Sequence, residues 1–334
     1  MRFPAQFRVG KWFKLLSIVI AVSATFCRTY FKISINNESI VPVPPQQQPN
    51  LPDLEGILGP KEIAQLQLDC PSNRIIKVRH DGNKSLVTFE QFIPMVLHAV
   101  NNSVHPPFMR PVHELAIAFG NELTGDFSTQ PTRKNPPRVK VLKSGFWAEF
   151  GVFTGSTLKY ASEHVKGTNF SGLMVGFDSF EGLPEHWRQH FPAGEFAKGD
   201  GLYNLVREKI PKIVKLYKGW FQNTISTFIE EHPHMPAALI HHDGDLFLST
   251  TITFQMLHDR IVPGTHIIFD ELMGYPGYEK HEILAFYLWM ILNSETAVMC
   301  AMGAMAHFNV KEWMMDSIEH DPRKQSAWFQ VMSI

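Results

Sequence analysis

Three cysteines, Cys27, Cys70 and Cys300, are spread over 334 residues. So few cannot staple a small disulfide scaffold, and without a CxxC pair they do not form a cysteine-rich zinc module. Net charge is also nearly absent, with 31 Lys and Arg against 32 Asp and Glu. That balance lacks the basic excess that marks a nucleic-acid partner. The N-terminal apolar run, Leu15–Cys27, is thirteen residues long, short of the ~20 that cross ~30 Å of hydrocarbon. What the chain does have is apolar mass: 44% hydrophobic residues, including 26 Phe. Such a composition buries a thick core and excludes a disordered tail. At ~150 residues per domain the length allows about two domains.

The first forty residues stand apart from that globule. Arg2, Arg8, Lys11 and Lys14 precede Leu15–Cys27, and Arg28 closes the run. A basic segment followed by a short apolar one predicts a signal peptide or signal anchor over 1–40. Trp12 and Phe13 lengthen the apolar stretch if Lys14 snorkels, and Val22 to Ala24 offers a small-residue cleavage site. The basic residues before the run place the N-terminus in the cytosol. The expectation is a single-pass anchor in the secretory pathway with a lumenal catalytic body; secretion after cleavage is the alternative, and a buried N-terminal helix a third reading. Asn37, Asn83, Asn101 and Asn169 begin glycan sequons that agree with a lumenal body. Cys70 and Cys300 would pair in an oxidising lumen or stay as two inert thiols; the sequence leaves both open. Residues 41–60, rich in Pro and Gln, read as a stalk. Residues 61–137 read as a helical lead-in that packs on the main domain or forms a lid, with helical spacing at 61–68 and 89–100 and proline-broken stretches at 105–107 and 131–137.

From residue 138 to 334 the pattern alternates. Apolar runs at Phe146–Phe150, Leu173–Phe177, Ile213–Tyr217, Ala237–Ile240 and Thr265–Phe269 are separated by helical segments at Thr157–Val165, Thr224–Glu231 and Ser249–Ile261, with Tyr278–Leu292 after the last. Strands alternating with helices at this spacing predict a doubly wound α/β domain with a mostly parallel, Rossmann-like sheet. Trp328–Ile334 is expected as an edge strand. Ligands in such sheets bind beyond the carboxyl ends of the strands, so the residues after each run carry the chemistry.

After the first run come Glu149, Gly151, Gly155 and Ser156. The two glycines let the backbone turn tightly toward a helix N-terminus, with Ser156 as its cap. The third glycine of a dinucleotide fingerprint is missing, and Glu149 would repel a pyrophosphate. S-adenosylmethionine, with its ammonium and sulfonium, suits an acid there. Asp178, followed by Ser179, ends the second run, where a carboxylate usually holds a ribose diol. Candidate cofactor contacts are therefore Glu149, Gly151, Gly155, Ser156, Asp178 and Ser179. Trp220 and Phe221 either stack on adenine or plug the core.

The densest acid cluster follows the fourth and fifth runs: Asp243 and Asp245, then Asp270 and Glu271. Neighbouring strand ends would gather four carboxylates, whose mutual repulsion raises their pKa values unless a cation intervenes. All-oxygen ligation suits a divalent cation, Mg²⁺ first, with Mn²⁺ or Ca²⁺ as alternatives. His241 shares a strand face with Asp243, as a metal ligand, a second base or, as the plainer reading, a hydrogen-bonded structural residue; His242, His266 and His281 read as structural.

The strings AEFGVFTGST, VGFDSFEGLPE, KGWFQNT, HHDGDLFLST and IIFDE, in this order, resemble the macrocin O-methyltransferase family over about Phe146 to Tyr287. That resemblance implies a class I, metal-dependent enzyme that methylates sugar hydroxyls. Carried over residue by residue, it implies that Glu149 and Gly151 contact the methionine part of the cofactor and that Asp178 holds its ribose. It further implies that Asp243, Asp270 and Glu271 ligate the metal while Asp245 is the general base. Glu271 departs from the family's usual Asp, and Phe247 from a common Tyr. The expected activity is methyl transfer from S-adenosylmethionine to a hydroxyl of a sugar, glycan or other vicinal diol. The alternatives are a catalytically silent binding protein on the same fold and, further off, a nucleotide-sugar or dinucleotide enzyme.

Overall fold

A computed structural model describes residues 70–79, 85–103, 111–124, 139–199, 201–294, 297–305 and 325–333. The expected signal segment and stalk, together with residues 61–69, lie outside them. The parallel strands run β2 (Phe146–Phe150), β3 (Leu173–Asp178), β4 (Val214–Lys218), β5 (Ala237–His242) and β6 (His266–Phe269). β1 (Ile75–Ile76), β7 (Val298–Met305) and β8 (Ser326–Ser333) complete one eight-stranded sheet in the order β1-β7-β8-β6-β5-β2-β3-β4. All five central strands pair in parallel, whereas β8 is antiparallel to both β6 and β7.

Helices cover both faces, so strand residues of either parity are apolar. Among the described residues these helices are α1 (Phe89–Asn101), α2 (Pro111–Thr124), α3 (Ser156–Val165), α4 (Gly201–Lys209), α5 (Phe221–Glu231), α6 (Phe247–Met256) and α7 (Glu282–Leu292). On one face Phe146, Phe150, Phe177 and Phe269 pack against Phe92, Phe228, Phe254 and Phe286. On the other, Trp147, Leu239, Ile268 and Trp328 pack against Phe119, Leu158 and Val206. Continuous apolar strands are the signature of a parallel sheet buried on both sides.

Three features differ from expectation or extend it. β8 is an interior strand rather than an edge, because Ala327, Trp328 and Phe329 are all fully buried and an edge could not cover both faces. The indole N–H of Trp328 donates to His266 Nδ1 at 3.0 Å, while His266 Nε2 lies 2.9 Å from the Lys140 carbonyl, so burial holds this histidine neutral, its pKa pushed down to about 4. Residues from the 61–137 region do not stand off as a separate layer: β1 pairs with β7, and Phe92, Val96, Leu115 and Phe119 are part of the two cores. Finally, Cys70 and Cys300 form a disulfide, with Cα atoms 5.9 Å apart, tying the start of the described chain to β7. Among the described residues, no helix is long and apolar enough to cross a membrane.

Candidate active site

The chain order reverses between β2 and β5: from β2 it runs outward through β3 and β4, then returns to β5 on the other side. The crevice past these strand ends is where an open α/β sheet binds ligands. Backbone bonds continue the ladder beyond the strands, with Gly151 N–H on the Phe177 carbonyl and Asp243 N–H on that of Phe150, at 2.9 and 2.8 Å. The two loops consequently touch. Gly151 has φ +94, and a Cβ built there would lie 1.8 Å from the Asp243 carbonyl oxygen. Only glycine fits this position, on conformation and on space alike.

A cavity of about 660 Å³ opens over this point. Gly151, Ser156, Asp178 and Ser179 line it together with Asp243, Asp245, Asp270 and Glu271, as do Trp220 and Phe221. The structure thus brings most of the expected residues onto one wall system. Gly155 is not on that wall; with φ +70 it is the N-cap of α3, which moves Ser156 from the expected cap position into the first turn. The carboxylate of Asp178 accepts the Phe153 N–H at 2.7 Å and the Phe180 N–H at 2.6 Å. It pins the glycine loop to β3 and, since a carboxylate has about four lone-pair sites, retains acceptor capacity toward a ligand. Burial raises its pKa against the lowering effect of these N–H bonds. The Ser179 hydroxyl is turned to its own loop, accepting the Glu181 N–H at 3.0 Å.

Glu149 does not line the cavity. In register it faces His241, on the sheet face opposite Phe150, and is 1% exposed. His241 Nδ1 lies 3.5 Å from the Glu149 carboxylate and Nε2 lies 3.7 Å from that of Asp270. Burial alone would push this imidazole down, but Asp270 and Glu149 reverse that and raise it to about 10. His241 is therefore an imidazolium, with no lone pair for a metal, held between two acids. His242, on the other face, lies 2.8 Å from Glu282 through Nδ1. Burial pushes His242 down to about 3 and Glu282 well above the usual carboxylate range, leaving a neutral pair. Glu282, the first residue of the apolar helix α7, carries no sequence signal for this partnership.

The remaining acids converge. One oxygen each from Asp243, Asp245 and Glu271 lie within 4.8 Å of one another; a ring nitrogen of His241 and oxygens of Asp243 and Asp270 make a second such group. Asp245 itself takes a left-handed backbone, at φ 62. Gly244 before it is required for space, since a Cβ there would sit 2.7 Å from the His242 ring. Burial first, then the Glu271 and Asp243 carboxylates, hold Asp245 well above its usual pKa. Arg188, which sequence reasoning passed over, lines the same cavity.

A mostly parallel sheet of five central strands, with antiparallel β8 beside β6 and a glycine loop at its switch point, is a doubly wound, Rossmann-like arrangement. Residues 144–282 match the model of the macrocin-O-methyltransferase family. Among solved structures, the calicheamicin methyltransferase CalS11 is 20% identical, with a TM-score of 0.41 over 56% of this chain and 72% of its own. The O-methyltransferase NovP is 15% identical, with a TM-score of 0.31 over 56% and 71%. The mycinamycin-pathway methyltransferase MycE, solved with Mg and S-adenosylhomocysteine, is 12% identical, with a TM-score of 0.30 over 72% and 59%. No curated protein matches the chain.

The contact between the two loops makes a sharp prediction. Gly151→Ala forces the β2 and β5 loops apart, so S-adenosylmethionine affinity falls at least tenfold. Gly167→Ala, at φ +81 with nothing within 4 Å of the added methyl, carries only the backbone strain and leaves affinity unchanged. Calorimetric titration of both variants checks this; equal affinities would disprove a tight loop contact as the basis of the site.

Proposed function

We propose that this protein transfers a methyl group from S-adenosylmethionine to a hydroxyl of a sugar, glycan or other vicinal diol, with the help of a divalent cation. The observation that carries the reading is one cavity lined by both the Gly151 loop with Asp178 and the carboxylates of Asp243, Asp245, Asp270 and Glu271.

The donor set fits a hard cation. Ligands ~2.0–2.6 Å from a common centre are separated by at most about 5 Å; Asp243 meets that spacing both with Glu271 and Asp245 and, in a second group, with Asp270 and His241, so Asp243 is the carboxylate common to both groups. Their oxygens suit Mg²⁺ foremost, and Mn²⁺ or Ca²⁺ as well. Asp243, Asp270 and Glu271 are proposed as ligands. A bound cation would act as a Lewis acid toward the acceptor oxygen. S-adenosylmethionine, when bound, supplies the methyl on a sulfonium.

The chain's own residues do the rest. Asp178 and the Gly151 loop orient the cofactor, and the cavity wall aligns the acceptor with it; alignment of this kind supplies about 7–11 kcal/mol toward the barrier. Asp245 removes the hydroxyl proton as the methyl arrives. Its place on the cavity wall beside Asp243 and Glu271 puts it within reach of an acceptor held there. His241 keeps Asp270 and Glu149 in place from below the cavity floor.

The proposed setting is the secretory lumen, with residues 1–40 as anchor or signal. The Cys70–Cys300 disulfide supports an oxidising compartment, and the sequon residues Asn101 and Asn169 are exposed. Expressed in animal cells, the protein should gain mobility on treatment with an N-glycan-removing enzyme; an unchanged band in a soluble cytosolic fraction would refute this placement.

The two aspartates of the β5 loop should separate on metal titration. Asp243→Asn is expected to require far more Mg²⁺ for turnover. Asp245→Asn should bind cofactor and cation normally yet lose ~10²–10⁴-fold in rate at any metal concentration. Rescue of Asp245→Asn by excess Mg²⁺ would make it a ligand and overturn its role as base.

A further inference from the structure

Between β3 and α4 the chain makes an insertion over residues 179–199 that reaches across the cavity mouth, and Arg188 is its one side chain of fixed positive charge on the cavity wall. The backbone there is pinned: Trp187 N–H donates to the Phe191 carbonyl at 3.1 Å, and Phe191 N–H to that of Arg188 at 2.9 Å. Three rings hold the guanidinium, whose carbon lies 3.8 Å from the centroid of Trp187, 4.4 Å from Tyr275 and 4.9 Å from Phe191. The Trp187 indole N–H is itself directed to the Tyr275 hydroxyl at 3.4 Å. Aromatic rings over a guanidinium attract its charge but accept none of its in-plane hydrogen bonds. Accordingly, Arg188 Nε is buried and makes no hydrogen bond with the described residues.

A plain counter-ion for the acid cluster would not look like this. Burial opposes the charge of Arg188, and Glu271 and Asp245 support it electrostatically, yet Nε is not spent on either carboxylate. A planar, always-charged fork held on the cavity wall with Nε unspent suits a planar or tetrahedral oxyanion. Resting on the proposed methyltransferase reading, we infer that the acceptor carries an oxyanion, carboxylate or phosphate, near the hydroxyl that is methylated, and that Arg188 holds it. Arg188 is thus a specificity-determining residue: it selects sugar acids or sugar phosphates over neutral sugars.

The test is calorimetric titration of the full chain, loaded with S-adenosylhomocysteine and Mg²⁺, with glucose, glucuronic acid and glucose 1-phosphate. A charge-assisted hydrogen bond predicts about a ten- to hundredfold advantage of an acid over glucose. The arm that shows the larger advantage identifies carboxylate or phosphate as the anion. Arg188→Gln removes the advantage and leaves S-adenosylhomocysteine affinity unchanged. Arg188→Lys, a point charge without the planar fork, keeps part of it for phosphate and loses most of it for carboxylate. Glucose binding as tightly as both acids, no binding of either acid, or an advantage that survives in Arg188→Gln overturns the inference. If Arg188→Gln loses S-adenosylhomocysteine as well, its fold is impaired and Arg188→Lys decides. If the unaltered chain fails to bind S-adenosylhomocysteine, the methyltransferase reading falls instead, and the comparison of acids with glucose is then read without it.

Discussion

A buried imidazolium ties the catalytic end of this sheet together. His241 sits on the central strand β5 with Glu149 of β2 on one nitrogen and Asp270, just past β6, on the other. Three adjacent strands are thereby joined through charge as well as through the ladder. Removing His241 would leave two buried carboxylates without their shared cation, a defect of the kind that typically costs about 3–5 kcal/mol. The same arrangement sets the protonation state of the site. With its charge fixed by two acids, the imidazolium offsets part of the carboxylate excess from beneath. The acids that face the cavity, Asp243, Asp245 and Glu271, keep the remainder. Oxygens of Asp243, Asp245 and Glu271 lie within 4.8 Å of one another, and burial first, then the Glu271 and Asp243 carboxylates, raise the pKa of Asp245.

The cofactor end obeys a different constraint, close approach rather than charge. Gly151 brings the β2 loop against the Asp243 carbonyl, and Asp178 locks the same loop to β3 through the N–H groups of Phe153 and Phe180. The residues proposed to grip the cofactor and those proposed to grip the cation are thus successive residues of loops in contact. A displacement at one is passed to the other over a single carbonyl group.

Much of this was legible in the chain. The five parallel strands announce themselves as apolar runs, and the acids stand immediately after them, where an open sheet places ligands. Asp178, Asp243, Asp270 and Glu271 reach the cavity as the spacing predicted. Glu149 was less transparent. Because β2 is buried on both faces, parity alone turns this side chain toward Trp147 and His241 and away from the cavity. β7 and the interior place of β8 escaped because they depend on pairings between distant segments, as do the neutral His242–Glu282 pair and the cage around Arg188. No local periodicity encodes a contact between residues 188 and 275. The helices α2 and α4 were missed for a related reason. Their sequences are weakly amphipathic or highly charged, and packing against the sheet stabilises them.

The central claim is that the crevice between β2 and β5 is a methyl-donor site adjoining a cation site. Equilibrium titration of the full chain with S-adenosylmethionine, with and without Mg²⁺, tests it most directly. The account predicts saturable one-to-one binding of the cofactor, together with consumption of S-adenosylmethionine only when Mg²⁺ and a diol acceptor are both present. A folded protein that takes up no S-adenosylmethionine would contradict it.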